Sequence, residues 1–233
     1  MGLLERNAVL KTMYDTQTSA DSSGPLHSNL PQSYAEALYG VVAKERPAVA
    51  LEVGMAMGTS SLAMLTALQD IGGRLISIDP TQSTAWNGKG VAAVAKAGLS
   101  HLHDLVEDYD YAALPRLLAD GTVLDFAYID GWHTFDYTLL DWWYIDRMLK
   151  PGGIVAFNDC SWPAVDRAIR FVLTHRKYIE IHVGLPITLT PKGSHADRLL
   201  RTLTGKDPRR RVEDRYFRKT EHWEPSWDFY AQF

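Results

Sequence analysis

Cysteine is nearly absent: Cys160 stands alone among 233 residues, which excludes an intramolecular disulfide and any cysteine metal cluster. No stretch reaches the roughly 18 apolar residues of a membrane span, and the opening Met1 to Arg6 holds no long apolar segment. A cytoplasmic location is therefore expected. There is no strong excess of one charge, because 22% charged residues sum to a formal net charge of -4, so composition alone does not direct the chain to nucleic acid or to membrane. Internal repeats are missing too. The dinucleotide fingerprint Gly-x-Gly-x-x-Gly does not follow the first predicted strand, where it would be needed.

What is present is an alternation. Pro31 to Lys44 predicts an amphipathic helix with proline at its start, and Ala48 to Val53 a short buried strand. Helix and strand patterns then alternate: helix Ser60 to Gln69, strand Arg74 to Ile78, helix Lys89 to Ala97, strand Ser100 to Val106, helix Asp110 to Leu118. Strand Leu124 to Ile129, helix Tyr137 to Leu149, strand Gly153 to Phe157 and helix Ala164 to Thr174 follow. Two β-branched runs, Tyr178 to Val183 and Ile187 to Thr190, predict a hairpin joined at Gly184-Leu185-Pro186. The expected fold class is α/β: one Rossmann-like, doubly wound, mostly parallel seven-stranded sheet with a C-terminal antiparallel hairpin and helices on both faces. Residues 1–30 are read as a partly flexible N-terminal segment with a mobile loop from Thr16 to Ser28, residues 31–192 as the domain, and 193–233 as a basic and aromatic tail. That tail, with Trp223, Trp227, Phe229, Tyr230 and Phe233, is too aromatic to float free and is expected to dock on the domain, a second subunit or the active-site mouth. A homo-oligomer is expected.

The strand ends carry the chemistry. After the first strand, Glu52-Val53-Gly54-Met55-Ala56-Met57-Gly58-Thr59-Ser60 reads as a tight glycine turn into a helix start, whose unpaired N–H groups suit an anionic ligand. Taken alone, Gly54-x-x-x-Gly58 is a weak signal, and Asp79-Pro80 is more often a turn than a ligand contact. Together, in order and each at a strand end, they resemble the class I S-adenosylmethionine-dependent methyltransferases, in the branch of catechol O-methyltransferase and the macrolide-sugar and other antibiotic-sugar O-methyltransferases. That resemblance spans about residues 31–190. It implies a donor site built from Glu52, Gly54, Met55, Gly58, Thr59, Ser60, Asp79, Asp108 and Asp130, with Asp79 on the ribose hydroxyls and Glu107-Asp108-Tyr109 at the adenine.

Two more strand ends are acidic, Asp130-Gly131-Trp132-His133 and Asn158-Asp159-Cys160. Carboxylate and amide oxygens are hard ligands suited to Mg²⁺. In the resembling branch these positions hold a metal, which implies Asp130, Asn158 and Asp159 as its ligands, although the pair Asn158-Asp159 has one charge fewer than the two acids of the sugar enzymes. The resemblance also implies His133 as base, beside Asp130; read from spacing alone, His133 is equally a helix cap. Trp142, Trp143 and Met148 are expected in the core, Asp136 and Asp141 as first-turn or solvated helix charges, and Cys160 in buried packing.

The expected function is transfer of a methyl group from S-adenosylmethionine, assisted by Mg²⁺, to a hydroxyl of a small molecule, a sugar or natural-product intermediate. Three alternatives stay open: a metal-independent methyltransferase, an RNA methyltransferase using the basic run Arg198 to Lys219, and a non-catalytic donor-binding scaffold subunit. In a net acidic chain, nucleic acid is the less favoured partner.

Overall fold

The computed structural model describes residues 2–17, 30–185, 188–189, 210–211 and 214–233. The helices among them are α1 (Leu3–Arg6), α2 (Ala8–Gln17), α3 (Gln32–Glu45), α4 (Thr59–Leu68), α5 (Lys89–Lys96), α6 (Asp110–Ala119), α7 (Phe135–Met148) and α8 (Pro163–His175). The strands are β1 (Val49–Val53), β2 (Arg74–Ile78), β3 (His103–Val106), β4 (Leu124–Ile129), β5 (Leu149–Phe157), β6 (Tyr178–Ile181), β7 (Thr188–Leu189), β8 (Arg210–Arg211) and β9 (Arg215–Lys219).

Seven strands form one sheet in the order β3-β2-β1-β4-β5-β9-β6. The first five are parallel, with Ala50 opposite both Leu75 and Phe126, and β9 runs antiparallel to β5 and to β6. Buried strands such as Leu-Asp-Phe-Ala-Tyr-Ile in β4 follow from cover on both faces. One core holds Leu38 and Val42 of α3 with Leu62 and Leu65 of α4 against Phe126 and Tyr128; the other holds Trp142 and Ile145 of α7 with Ile169 of α8 against Val155 and Phe217. The expected fold class stands.

The antiparallel pair at the C-terminal end has other members than the sequence suggests. Tyr178–Ile181 pairs with Arg215–Lys219, and β9 inserts between β6 and β5. Thr188–Leu189 pairs instead with Arg210–Arg211 in a separate two-stranded sheet, while Ile187 and Thr190 lie outside the described residues. A strand spelled Arg-Tyr-Phe-Arg-Lys fits a sheet because each cation finds a partner. Arg215 bonds Glu180 through two 2.9 Å contacts, Arg218 bonds Glu45 at 2.9 and 3.0 Å, and Lys219 bonds the Asp146 carbonyl at 2.5 Å. Beyond β9, Phe233 packs on Phe171 of α8 with ring centroids 5.1 Å apart.

Three smaller expectations change. Thr16 and Gln17 belong to α2, and 18–28, the rest of the expected loop, lie outside the described residues, as do 198–209 and 212–213 of the basic run. Trp142 is buried, but Trp143 is 39% exposed and carries the Arg147 guanidinium 3.3 Å from its ring centroid. Adjacent helix positions cannot share a face. Asp141 is not solvated: it is fully buried, and burial first, then Asp110, holds its carboxyl well above the usual range.

Phe217 is fully buried and meets Phe157 edge to face at 5.9 Å. Phe217→Ala is expected to cost about 3–5 kcal/mol in urea denaturation; a loss under about 1 kcal/mol would show that β9 is not part of the core.

Candidate active site

The winding of the sheet reverses between β1 and β4, so the loops that leave these strands open a crevice at their carboxyl ends. The loop after β1 is the glycine turn. Gly54 has φ +90°, and a Cβ there would lie 2.1 Å from the carbonyl oxygen of Asp130, so this position admits only glycine. Gly58 caps α4 with φ +84°, and Ala56 between them is also left-handed at φ 47°. The amides of these two glycines are held inside the protein, Gly54 on the Ile78 carbonyl and Gly58 on the Met55 carbonyl, both at 2.8 Å, and the turn leads into the first turn of α4.

The acids expected to touch the donor hold the turn itself. Glu52 has no exposed surface, and its carboxylate accepts hydroxyl bonds from Ser60 at 2.8 Å, Ser77 at 2.5 Å and Ser61. Burial nevertheless pushes its carboxyl up to about 7. Asp79 accepts the amides of Met55 at 3.2 Å, Ala56 at 2.8 Å and Thr81 at 2.9 Å, with the Thr81 hydroxyl at 3.1 Å and the Gln82 amide at 3.1 Å. A carboxylate offers about four lone-pair sites. Asp79 is filled by the chain, and its geometry is that of a loop anchor. Met55, Thr59 and Ser60 are each buried. Asp108 sits at the edge, bonded to Arg116 at 2.6 Å, and that bond holds its carboxyl below the usual range.

The loops after β4 and β5 bring three further side chains together. Nε2 of His133 lies 3.5 Å from Asp130 and 3.4 Å from Asp159, with the three side chains 23%, 24% and 29% exposed in that order. Each side chain is partly exposed, while the Nε2 atom of His133 is buried between the two carboxylates. Those separations exceed a good hydrogen bond, and Nε2 has no partner in hydrogen-bond geometry. Burial pulls the imidazole down, but Asp130, Asp159 and the Asn158 amide outweigh it and hold His133 above its ordinary value. Burial also raises Asp130, against the pull of His133. Asp159 adopts φ 51°, an unusual backbone for a non-glycine residue and a mark of constraint at this loop. Trp162 lies beside His133 with ring centroids 5.6 Å apart, and Trp132 is 68% exposed on the other loop.

Asn158 is turned away from this group: its amide nitrogen donates to Asp214 at 2.8 Å. Asp214 also accepts from Tyr128 at 3.0 Å. Sequence reasoning passed Asp214 over as one of the acids near a basic run, and only the placement of β9 gives it meaning. Among the described residues, no group of three or more His, Cys, Asp and Glu is arranged to hold a metal ion.

Residues 51–160 match a family described as a methyltransferase domain. A caffeoyl-CoA O-methyltransferase-like protein of Arabidopsis thaliana is 30% identical over 116 residues, 48% of this chain and 46% of that protein. The chain thus spans about half the length of the curated relative it matches. An O-methyltransferase from Bacillus cereus, solved with S-adenosylhomocysteine, superposes with TM-score 0.68 at 11% identity, covering 91% of each chain. The O-methyltransferase TomG from Streptomyces achromogenes, involved in tomaymycin synthesis and solved with S-adenosylmethionine, superposes with TM-score 0.65 at 16% identity over 95% of this chain and 100% of its own. At these identities the superpositions establish the fold. The likeness to class I methyltransferases read from the strand ends is borne out.

Gly54→Ala is expected to abolish S-adenosylhomocysteine binding in calorimetry, since the new Cβ must displace the Asp130 carbonyl; a Kd within threefold of wild type would remove the turn as donor cradle. Glu52 sets a second expectation. With a folded value of about 7, the native state keeps a proton that the unfolded chain has released from the usual carboxylate range upward. Stability should therefore fall as pH rises from about 4.5 to 7, and Glu52→Gln should flatten that part of the denaturation midpoint against pH.

Proposed function

We propose that the protein transfers the methyl group of S-adenosylmethionine to a hydroxyl of a small molecule, with His133 as the base. The observation that carries this reading is the convergence of His133, Asp130 and Asp159 at the ends of neighbouring strands, with the Asp130 backbone packed against Gly54 of the glycine turn. The glycine turn and the first turn of α4 would hold the donor, with Asp108 at its edge.

His133 would take the acceptor proton as the hydroxyl oxygen attacks the methyl carbon in line. The C–O bond forms, the C–S bond breaks, and its electron pair stays on sulfur as S-adenosylhomocysteine. Asp130 and Asp159 orient the ring and accommodate the charge it gains. Holding oxygen and methyl in near-attack geometry can contribute ~7–11 kcal/mol, more than the base alone. Trp132 and Trp162, on either side, offer flat apolar surface to the acceptor. A sugar or natural-product acceptor fits such walls.

Mg²⁺ was the other expectation, and the arrangement does not suit it. Asp130 and Asp159 are hard donors, but the His133 ring nitrogen sits 3.5 and 3.4 Å from their carboxylates, and the Asn158 amide nitrogen is bonded to Asp214, so that residue could offer only its oxygen. The metal-independent reading is therefore preferred, and no step runs through an ion. Dialysis against EDTA should leave methyl transfer within about twofold; a loss restored by Mg²⁺ would establish the metal-assisted reaction instead.

His133→Ala should lower kcat by about 10²–10⁴ with the Kd for S-adenosylhomocysteine within threefold. An unchanged kcat would dismiss the base. Because the reactive form is the neutral ring and His133 is held above its ordinary value, kcat should rise with pH through a midpoint above that of a free histidine. A flat profile, or a midpoint below it, would contradict the assignment.

A further inference from the structure

The glycine turn has fewer amides to offer a ligand than its length suggests. Gly54 N–H goes to the Ile78 carbonyl and Gly58 N–H to the Met55 carbonyl, both at 2.8 Å, while Met55 and Ala56 give theirs to Asp79 at 3.2 and 2.8 Å. Met57, partly exposed between Ala56 and Gly58, carries the one amide of the turn that no described residue accepts. Its direction is set from the other end of the same peptide. Every peptide bond of the described residues is trans, and a trans peptide points its C=O and its N–H in opposite directions. Nε2 of Gln82 donates to the Ala56 carbonyl at 2.7 Å and is also 3.1 Å from Oδ2 of Asp79. Met57 N–H therefore points away from Gln82.

Gln82 is built into its place. It is 1% exposed, and its own carbonyl accepts the Gly88 amide at 2.6 Å. Its side-chain amide cannot be reversed, because the oxygen would then face two acceptors; as it stands, Oε1 is buried with no hydrogen-bond partner. Gly90 leaves the room for this, since a Cβ there would lie 2.6 Å from the Ala56 carbonyl oxygen and 2.9 Å from Oε1. An unpaired buried acceptor lowers stability, and here it accompanies a fixed Ala56–Met57 peptide. We infer that Gln82 is a positioning residue for the methyl donor, fixing that peptide so that Met57 N–H meets the carboxylate of the donor's amino-acid end. A carboxylate only accepts, and its charge strengthens the bond from an N–H, which the neutral hydroxyls and ring nitrogens of the adenosine end do not match. The inference rests on the glycine turn being the donor cradle.

The test is Gln82→Glu, which keeps the shape and replaces NH₂ by an oxygen that can donate to the Ala56 carbonyl only while it carries a proton. Asp79 beside it, and Glu107 on the Ser83 amide at 2.6 Å, both oppose a new negative charge here. Relative to wild type at the same pH, the Kd for S-adenosylhomocysteine should stay within about threefold near pH 5 and rise by more than about tenfold at pH 8, where the new carboxyl is ionised. Methylthioadenosine, which lacks the carboxylate, should bind within about threefold of wild type at both. The second readout needs no ligand: the ¹H–¹⁵N signal of Met57 should move in Gln82→Glu as pH rises, while the amide signals of β4 follow wild type. A ratio of Kd values that does not change with pH, an equal loss for methylthioadenosine, or an unmoved Met57 signal would overturn the inference. Should Gln82→Glu fail to fold, Gln82→Met must weaken S-adenosylhomocysteine more than methylthioadenosine, and equal losses would overturn it too. If the Met57 signal moves but Gly54→Ala leaves S-adenosylhomocysteine binding intact, the cradle reading falls rather than the link from Gln82 to the Met57 amide.

Discussion

A carboxylate with no access to water holds the donor side of this molecule together. Glu52 lies at the end of β1, and the hydroxyls that surround it come from α4 and from β2, so one buried group joins a strand, its neighbour and the helix that follows. The arrangement is poor value as pure stability. Hydrogen bonds to a charged group contribute about 1.5–3 kcal/mol each, and burying the ion costs several kcal/mol, which is why Glu52 holds its proton up to about 7. Its effect is geometric. With Ser60 and Ser61 tied down, α4 can start only where the turn from Gly54 to Gly58 delivers it. Asp79 fixes the same turn from β2 through the amides of Met55 and Ala56. Two acids at adjacent strand ends thus spend their hydrogen-bonding capacity on shaping the turn.

This explains where sequence reasoning succeeded and where it did not. The strands and helices from α3 to α8 were legible because their apolar residues recur with the right period or fill a short run, and β2 and β4 lie where the pattern places them. The positions of Asp130, His133 and Asp159 were legible for a related reason: a parallel sheet sends every strand end to one edge. The state of Glu52 and Asp79 was not, since a strand-end acid facing a ligand and one facing serine hydroxyls are spelled alike. β9 was hidden by its charges. Nothing local marks Arg215, Arg218 and Lys219 as paired, because Glu180, Glu45 and Asp146 lie 35, 173 and 73 residues away. Asp141 was hidden in the opposite way, an acid on a helix whose other face carries water-facing residues.

The two sides of the crevice differ in rigidity and in kind. On the donor side, side chains are buried and saturated, which suits a ligand that is always the same. On the acceptor side, His133, Asp130 and Asp159 are each about a quarter exposed, and Trp132 stands well out of the surface. Large aromatic rings on loops can be changed without disturbing the sheet beneath them. In the proposed reaction, acceptor choice is therefore separable from the sheet that carries the site.

The electrostatics of the acceptor side carry an opposing demand. Carboxylates beside an imidazole make it a stronger base and also keep it protonated, so the fraction ready to accept a proton at neutral pH falls as its strength rises. The proposed methyl transfer would resolve part of this conflict. The donor would arrive as a sulfonium cation and leave neutral, so positive charge would disappear at sulfur as it appears on His133. Asp130 and Asp159 face a similar total charge before and after, which limits how far their surroundings must reorganise. A ring held at long contacts of 3.4 and 3.5 Å, with Nε2 unbonded, also has room to turn toward an incoming hydroxyl. Tight bonds to both acids would orient it better and consume the lone pair it needs. The observed spacing balances the two requirements.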